Sequence, residues 1–214
     1  SQTDRYAMND EELMAAVAEG DRRAYEALVR AHLPAVTRYA LRLLGNARDI
    51  EDIAQETFLR LWTNASKWDP AKAKLSTWLH RIAHNLCIDL LRKQQRVLLS
   101  GNFDEEFDSE SDASGSQDSA PANSSLRGAL AELAKLEPSS QQAIEEDAAL
   151  GALNAAMANL SESQRSALLL CHFQGFSNKE AATIAGLSVR ALESLMARAK
   201  RNLRLQLEAN LYEQ

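Results

Sequence analysis

Residues 100–125 read SGNFDEEFDSESDASGSQDSAPANSS, a run of Ser, Asp, Glu, Gly and Asn with almost nothing to bury. A segment of that composition cannot recover in apolar contacts what it loses in chain entropy. It is expected to be a disordered acidic linker, with Phe103 and Phe107 as transient docking points. This splits a 214-residue chain into two halves, each large enough for only a modest core. Leu and Ala dominate both halves, aromatic residues make up 6%, and there are 8 Gly and 4 Pro. The expected fold is all-α, with two small helical domains: an N-terminal helical bundle at 1–98, the acidic linker at 99–147, and a C-terminal four-helix domain with a helix-turn-helix at 148–214.

The net charge of −6 argues against a nucleic-acid partner until it is divided along the chain. Residues 1–100 carry +2, residues 101–147 carry −10 and residues 148–214 carry +2. Two mildly basic ends flank a strongly acidic middle, so the overall charge hides the parts. No run approaches the ~18 apolar residues that a membrane span needs, and SQTDRYAMND lacks the apolar core of a signal peptide. A soluble, cytoplasmic protein is expected. Cys87 and Cys171 lie far apart on apolar helix faces and read as buried thiols, and no paired Cys/His spacing suggests a metal site.

In the N-terminal half, Asn9 or Asp10 caps a short helix and Asp21 caps the next, whose apolar face carries Tyr25, Leu28 and Val29. Pro34 fits an early turn of a third helix, with Val36, Tyr39, Ala40, Leu43 and Leu44 at helical spacing and Gly45-Asn46 as its end. A helix begins near Asp49 and buries Ile50, Ile53, Thr57 and Leu61. Its opposite face carries Asp52, Gln55, Glu56 and an exposed Leu59, an acidic stripe with one apolar anchor that suits either solvent or a basic helical partner.

A loop follows from Asn64 to Ser76, with Trp68-Asp69-Pro70 as its turn and Lys67, Lys72 and Lys74 around it. Trp62, Trp68 and Trp78 either pack this loop onto the bundle or accept unstacked bases. The helix from Thr77 has a core stripe of Leu79, Ile82, Leu86 and Leu90. Arg81, Asn85, Arg92 and Arg96, with Asp89 beside them, have the composition for phosphate and base-edge contacts.

Beyond the linker, Leu126–Leu136 forms a short amphipathic segment that Pro138-Ser139-Ser140 interrupts. Ile144, Ala148, Leu153, Met157 and Leu160 then share a face. Ser161 to Gln164 and Ser177 to Glu180 read as two capping boxes. Ala182, Gly186 and Leu192 stand at the spacing of a helix-turn-helix, with Ala181, Ile184, Leu187 and Leu195 as its core. Its second helix, from Val189 to about Leu207, would enter the major groove by its N-terminal end, presenting Ser188, Arg190, Ala191, Glu193 and Ser194. Arg198, Lys200, Arg201 and Arg204 make the far end basic.

These motifs, taken in order, resemble a bacterial sigma factor of the extracytoplasmic-function type. The resemblance rests on DIEDIAQETFLRLW (49–62), KWDPAKAKLSTWLHRIAHNLCIDLLR (67–92) and LSESQRSALLLCHFQGFSNKEAATIAGLSVRALESLMARAKRNLR (160–204). It implies a subunit that binds core RNA polymerase through Asp49, Asp52, Gln55, Glu56 and Leu59. It implies −10 element contacts from Lys67, Trp68, Lys72, Lys74, Trp78, Arg81, Asn85, Asp89, Arg92 and Arg96. It implies −35 element contacts from Ser177, Lys179, Ser188, Arg190, Ala191, Glu193, Ser194, Arg198, Lys200 and Arg201. The partners implied are core polymerase, promoter DNA and an anti-sigma factor, often membrane-anchored, with target genes of a stress or envelope response. No catalytic residue, cofactor, metal or small-molecule substrate is expected, and the four histidines His32, His80, His84 and His172 look scattered.

This sequence departs from the family in two places. Glu193 and Met196 stand where family members carry basic residues, and Glu193 would then accept from a cytosine amine. The linker is also longer and more acidic than usual, and is expected to fold back on the C-terminal domain. Two other readings compete: a stand-alone helix-turn-helix regulator, and a helical adaptor with an acidic tail.

Overall fold

The computed structural model describes residues 8–100, 122–134, 151 and 153–212, all helices and turns with no strand among them. Asn9 caps α1 (Asp10–Ala18) in a full capping box: its side chain accepts from the Glu12 N–H, and the Glu12 carboxylate accepts from the Asn9 N–H. Asp21 caps α2 (Arg22–Leu44) by accepting from the N–H groups of Arg23 and Ala24. Gly45 ends α2 in the left-handed region at φ 73, where a side chain would strain the backbone.

Pro34 does not open a third helix. It sits inside the 23-residue α2. The apolar face runs unbroken through it: Leu28, Val29, Leu33, Val36 and Tyr39 are all buried. Packing of that face outweighs the hydrogen bond a proline forfeits. The Thr37 hydroxyl donates to the Leu33 and Pro34 carbonyls just below.

The next helix, α3 (Ile50–Asn64), buries Ile53, Thr57 and Leu61 as the spacing requires, and also Ala54 and Phe58. Phe58 is fully buried and sits among the largest core side chains, although the 3–4 spacing of Ile50, Ile53, Thr57 and Leu61 passes over it. A short 3-10 turn (Ala65–Lys67) leads into the loop, and α4 (Leu75–Ser100) begins two residues before Thr77. The buried residues of α4 are Leu75, Thr77, Leu79, Ala83, Cys87 and Ile88, together with His80 and His84, while Ile82, Leu86 and Leu90 are only half-buried. The stripe is turned from the expected one because a second set of helices covers the histidine side.

The helix of the linker region, α5 (Ala122–Ala134), starts four residues before Leu126 and packs on α2 and α3. Leu126 is fully buried there, worth about 1.5–3 kcal/mol, and Arg127 lies 3.8 Å from Glu51. This part of the linker therefore lies against the N-terminal half, not the C-terminal domain, because its apolar Leu126 finds a groove there. The acidic stretch at 101–121, the Pro138 break, Ile144 and Ala148 lie outside the described residues.

In the C-terminal half, helical residues 153–158 (α6) bury Ala156 and Met157, and Leu160 closes the same face. Ser161 caps α7 (Glu162–Leu168) by accepting from the Gln164 N–H. Here the Gln164 side chain accepts from Asn202 instead, tying α7 to the last helix. A π-helical turn (Leu169–Phe173) follows and Gly175 at φ 74 ends it. Then come α8 (Asn178–Ala185), a turn at Gly186 and α9 (Val189–Tyr212).

Candidate polymerase and nucleic-acid interfaces

The acidic face of α3 is presented only in part. Asp49 and Ile50 are half-buried at the helix start, and Asp52 is exposed. Gln55, Glu56 and Leu59 are half-buried. Leu59 is therefore not the exposed anchor that the spacing predicts; the broad buried face that includes Phe58 rotates it toward the bundle. Gln55 donates to Glu51 at 3.1 Å, and Arg60 pairs with Glu56 at 2.7 Å. Among the described residues, the carboxylates of this face without a partner are those of Asp49 and Asp52, of which only Asp52 is exposed.

The loop between α3 and α4 is stiffened from within. The Asp69 carboxylate accepts from the Ala71 N–H, and the Trp68 indole donates to the Ala73 carbonyl at 3.1 Å. Trp62, Trp68 and Trp78 are all half-buried and pack on the core, with the Trp62 ring edge-on to Tyr25 at 5.3 Å. Packing is thus their first role, and each keeps a partly open face. Lys67, Lys72 and Lys74 ring the loop on its exposed side. Along α4, Arg81, Asn85, Asp89, Arg92 and Arg96 are exposed, on one stripe at intervals of three or four residues. Lysines in a rigid loop that continue into an Arg/Asn stripe form a track suited to phosphates and base edges.

The helix-turn-helix has the expected anatomy. Ala182 is buried where α8 and α9 approach, Gly186 makes the turn at φ 68, and Leu192 locks α9 at 0% exposure. Ala181 and Ile184 are buried and Leu195 is half-buried, but Leu187 is 37% exposed and contributes little core. Ser177 and Glu180 form the second capping box, and Ser177's backbone N–H is the main reason that Glu180 stays below the usual carboxylate range.

At the start of α9, Ser188 caps by accepting from the Ala191 N–H. Arg190, Glu193 and Ser194 point outward and Ala191 is half-buried. Arg198 donates to Ser194 at 3.3 Å, and Asn178 donates to Glu193 at 3.5 Å. Lys179 on α8 is exposed, and so are Lys200 and Arg201 further along α9. Met196 is 8% exposed and belongs to the core, so the missing basic residue there removes no surface contact.

Three of the four histidines have defined partners, while His172 is exposed. His32 pairs with Asp10 at 3.0 Å, joining α1 to α2. His80 and His84 are buried on α4, where burial lowers both to about 4. Each meets a residue of the C-terminal half. No periodicity could have shown this, because it depends on how two separate apolar units dock. The thiols differ as well: Cys87 is buried and pushed up to about 12, whereas Cys171 is only half-buried, with its thiol 3.6 Å from Asn178. Among the described residues no group of His, Cys, Asp and Glu could hold a metal ion, and no helix is long and apolar enough to cross a membrane.

Comparison with known proteins places these elements in a family. The family model for Sigma-70 region 2 matches residues 28–97, and that for Sigma-70, region 4, matches residues 150–203, together more than half of the chain. The ECF RNA polymerase sigma factor SigE of Mycolicibacterium smegmatis is 32% identical over 87% of this chain. The match spans 64% of SigE, a little under two thirds of its length. The structure of CnrH in complex with the cytosolic domain of CnrY is similar, with a TM-score of 0.59 and 27% identity over 94% of this chain and 97% of that one. The sigma factor RpoE in complex with the anti-sigma factor NepR from Bartonella quintana gives a TM-score of 0.55 and 25% identity, over 82% of this chain and 91% of that one.

Proposed function

The chain belongs to the sigma-70 family of RNA polymerase sigma factors, of the ECF type, and we propose that it acts as a promoter-specificity subunit. It binds core polymerase through the exposed acidic edge of α3 around Asp52. It engages the −10 element with the loop at 64–76 and the α4 stripe, and the −35 element with the start of α9. The observation that carries this reading is the pairing in one chain of a Lys/Trp loop beside an Arg/Asn stripe with a helix-turn-helix whose reading residues are exposed. Neither a lone helix-turn-helix regulator nor an adaptor accounts for both.

No covalent chemistry is required of such a subunit. Capture of an unstacked base beside Trp68 or Trp78 offsets part of the few kcal/mol that unpairing costs. The Lys and Arg side chains supply the salt-dependent term that holds the duplex. The work is done in the cytoplasm, where core polymerase is. An anti-sigma factor holds the protein inactive; the resemblance implies this, and RpoE, a similar protein, was solved with one bound.

A charge reversal tests the polymerase contact. Asp52→Lys is exposed and caps nothing, so the fold should persist. Affinity for core should fall by at least about tenfold, with DNA binding by the isolated chain unchanged. Wild-type affinity for core in this variant would remove α3 from the interface.

A further inference from the structure

One face of α5 (Ala122–Ala134) is bedded on the N-terminal half. Leu126 is fully buried, and Ala129 and Leu130, three and four residues on, pack half-buried against the same core. Anchors at that spacing are how an amphipathic helix lies in a groove between two others, here α2 and α3. The seat decides where the next side chain goes. Arg127 follows the buried Leu126, and its Nε lies 3.8 Å from Glu51 Oε1. That same oxygen accepts from Gln55 Nε2 at 3.1 Å.

Glu51 therefore joins a cation of α5 to Gln55, one of the residues that the family resemblance assigns to core polymerase. Glu51 and Gln55 lie one turn apart on the same face of α3, and Asp52 follows Glu51 at the next position round the helix. α5 thus borders the acidic edge of α3 along its Glu51–Gln55 side. The ion pair holds little by itself, because the Arg127 side chain is 71% and that of Glu51 57% exposed. Leu126 holds the helix, and the helix carries Arg127 to the edge. A guanidinium placed there acts twice on a basic partner approaching Asp52. It takes up a carboxylate that the partner would otherwise gain, and it repels the partner's own cations within the Debye length of about 8 Å at physiological salt.

The chemistry of α5 also matches the surface. A helix with an apolar anchor and a cation beside it is the kind of partner that the acidic edge of α3 suits, and this chain supplies one of its own. We propose that α5 is an internal competitor at the acidic edge of α3: seated by Leu126, it engages Glu51 with Arg127 and so weakens the chain's hold on core polymerase. The inference rests on the proposed function, in which core polymerase is the partner at Asp52. The coupling runs both ways. Whatever draws α5 from its groove frees Glu51 for the partner, and a partner that takes Glu51 loosens α5.

The test measures the affinity of the full chain for purified bacterial core polymerase, at low and at high salt. Wild type is compared with Arg127→Glu, Arg127→Lys and Leu126→Asp. Arg127 is exposed, so its variants keep the fold; thermal melting checks Leu126→Asp, and if that variant melts early the two Arg127 variants decide. At low salt Arg127→Glu should bind core at least about threefold tighter than wild type, and Leu126→Asp at least about fivefold tighter. Arg127→Lys, which keeps the cation, should bind as wild type does. High salt should narrow the gap between Arg127→Glu and wild type. Binding by Arg127→Glu that equals or falls below wild type at low salt overturns the proposal. So does binding by folded Leu126→Asp that is no tighter than wild type, or by Arg127→Lys that is as tight as Arg127→Glu. No binding of core by any of the four proteins removes the polymerase reading and the proposal with it, whereas equal binding by all four removes the proposal alone.

Discussion

His80 is held as a single neutral tautomer between the Ser76 carbonyl and the Gln174 amide, so a second proton has no acceptor to meet. His32 and the Ala35 carbonyl face it from α2, and Phe176 faces it from the C-terminal half. His84 has Arg92 and Asp89 near it on its own helix, with Tyr39 of α2 and Ser166 of α7 against Nδ1. Burial is the largest cause that lowers both from 6.5 to about 4. A depressed histidine binds fewer protons when folded. The stability it allows is complete above pH 6.5 and is lost as pH falls toward 4. At ~1.4 kcal/mol per unit, each histidine withdraws on the order of 3 kcal/mol across that window. The urea midpoint should thus drop steeply between pH 6.5 and pH 4.5, and less steeply in His80→Gln. A wild-type profile that is flat over this range would contradict the burial described for both rings. Phe58, with no exposed surface, supplies a second residue-scale check: Phe58→Ala should cost about 3–5 kcal/mol in chemical denaturation.

Helix by helix, most of the chain can be read from its caps. Asn9, Asp21, Ser161, Ser177 and Ser188 all accept the N-terminal N–H groups that their positions predict, and Gly45 and Gly186 end helices in the left-handed region. These signals are local, involving residues two to four apart, so a sequence carries them completely. The features that local signals do not carry depend on distant partners. Pro34 looked like a helix start because the loss of one hydrogen bond is visible locally, whereas the ten buried side chains of α2 that outweigh it are not. The core stripe of α4 is turned from the one its spacing predicts because one of its faces is covered by helices about 80 to 100 residues away. Met196 looked like a failed DNA contact because the position of the α9 surface depends on how α7 and α8 pack beneath it. At this scale the turn is the part to test. Gly186→Val forces a branched side chain to φ 68, which should cost at least ~1 kcal/mol and weaken binding to −35 DNA. Thr183→Ala, on the same helix but exposed, should leave binding unchanged.

In the whole molecule, α4 of the N-terminal half packs against α8 of the C-terminal half. α5 seats Leu126 in the α2–α3 groove, with Arg127 beside Glu51. That seat is close to Asp52, so a polymerase bound at the acidic edge of α3 and a docked α5 would be neighbours. Leu126→Asp should release α5 from the groove. Proteolysis within 122–134 should then become faster, while the melting of α1–α4 changes by only about 1.5–3 kcal/mol, the worth of one buried leucine. Resistance equal to wild type would place α5 elsewhere in solution.

The central claim is that this chain directs polymerase to promoters through two separate readers. Run-off transcription with purified bacterial core polymerase, on fragmented genomic DNA from the source of the protein, tests it most directly. The account predicts discrete new transcripts that depend on the chain, are lost in Asp52→Lys, and share two upstream sequence blocks, one at the −10 and one at the −35 position. Failure of the chain to co-elute with core, together with no chain-dependent transcript, would contradict it and leave the helix-turn-helix as a DNA reader acting without polymerase.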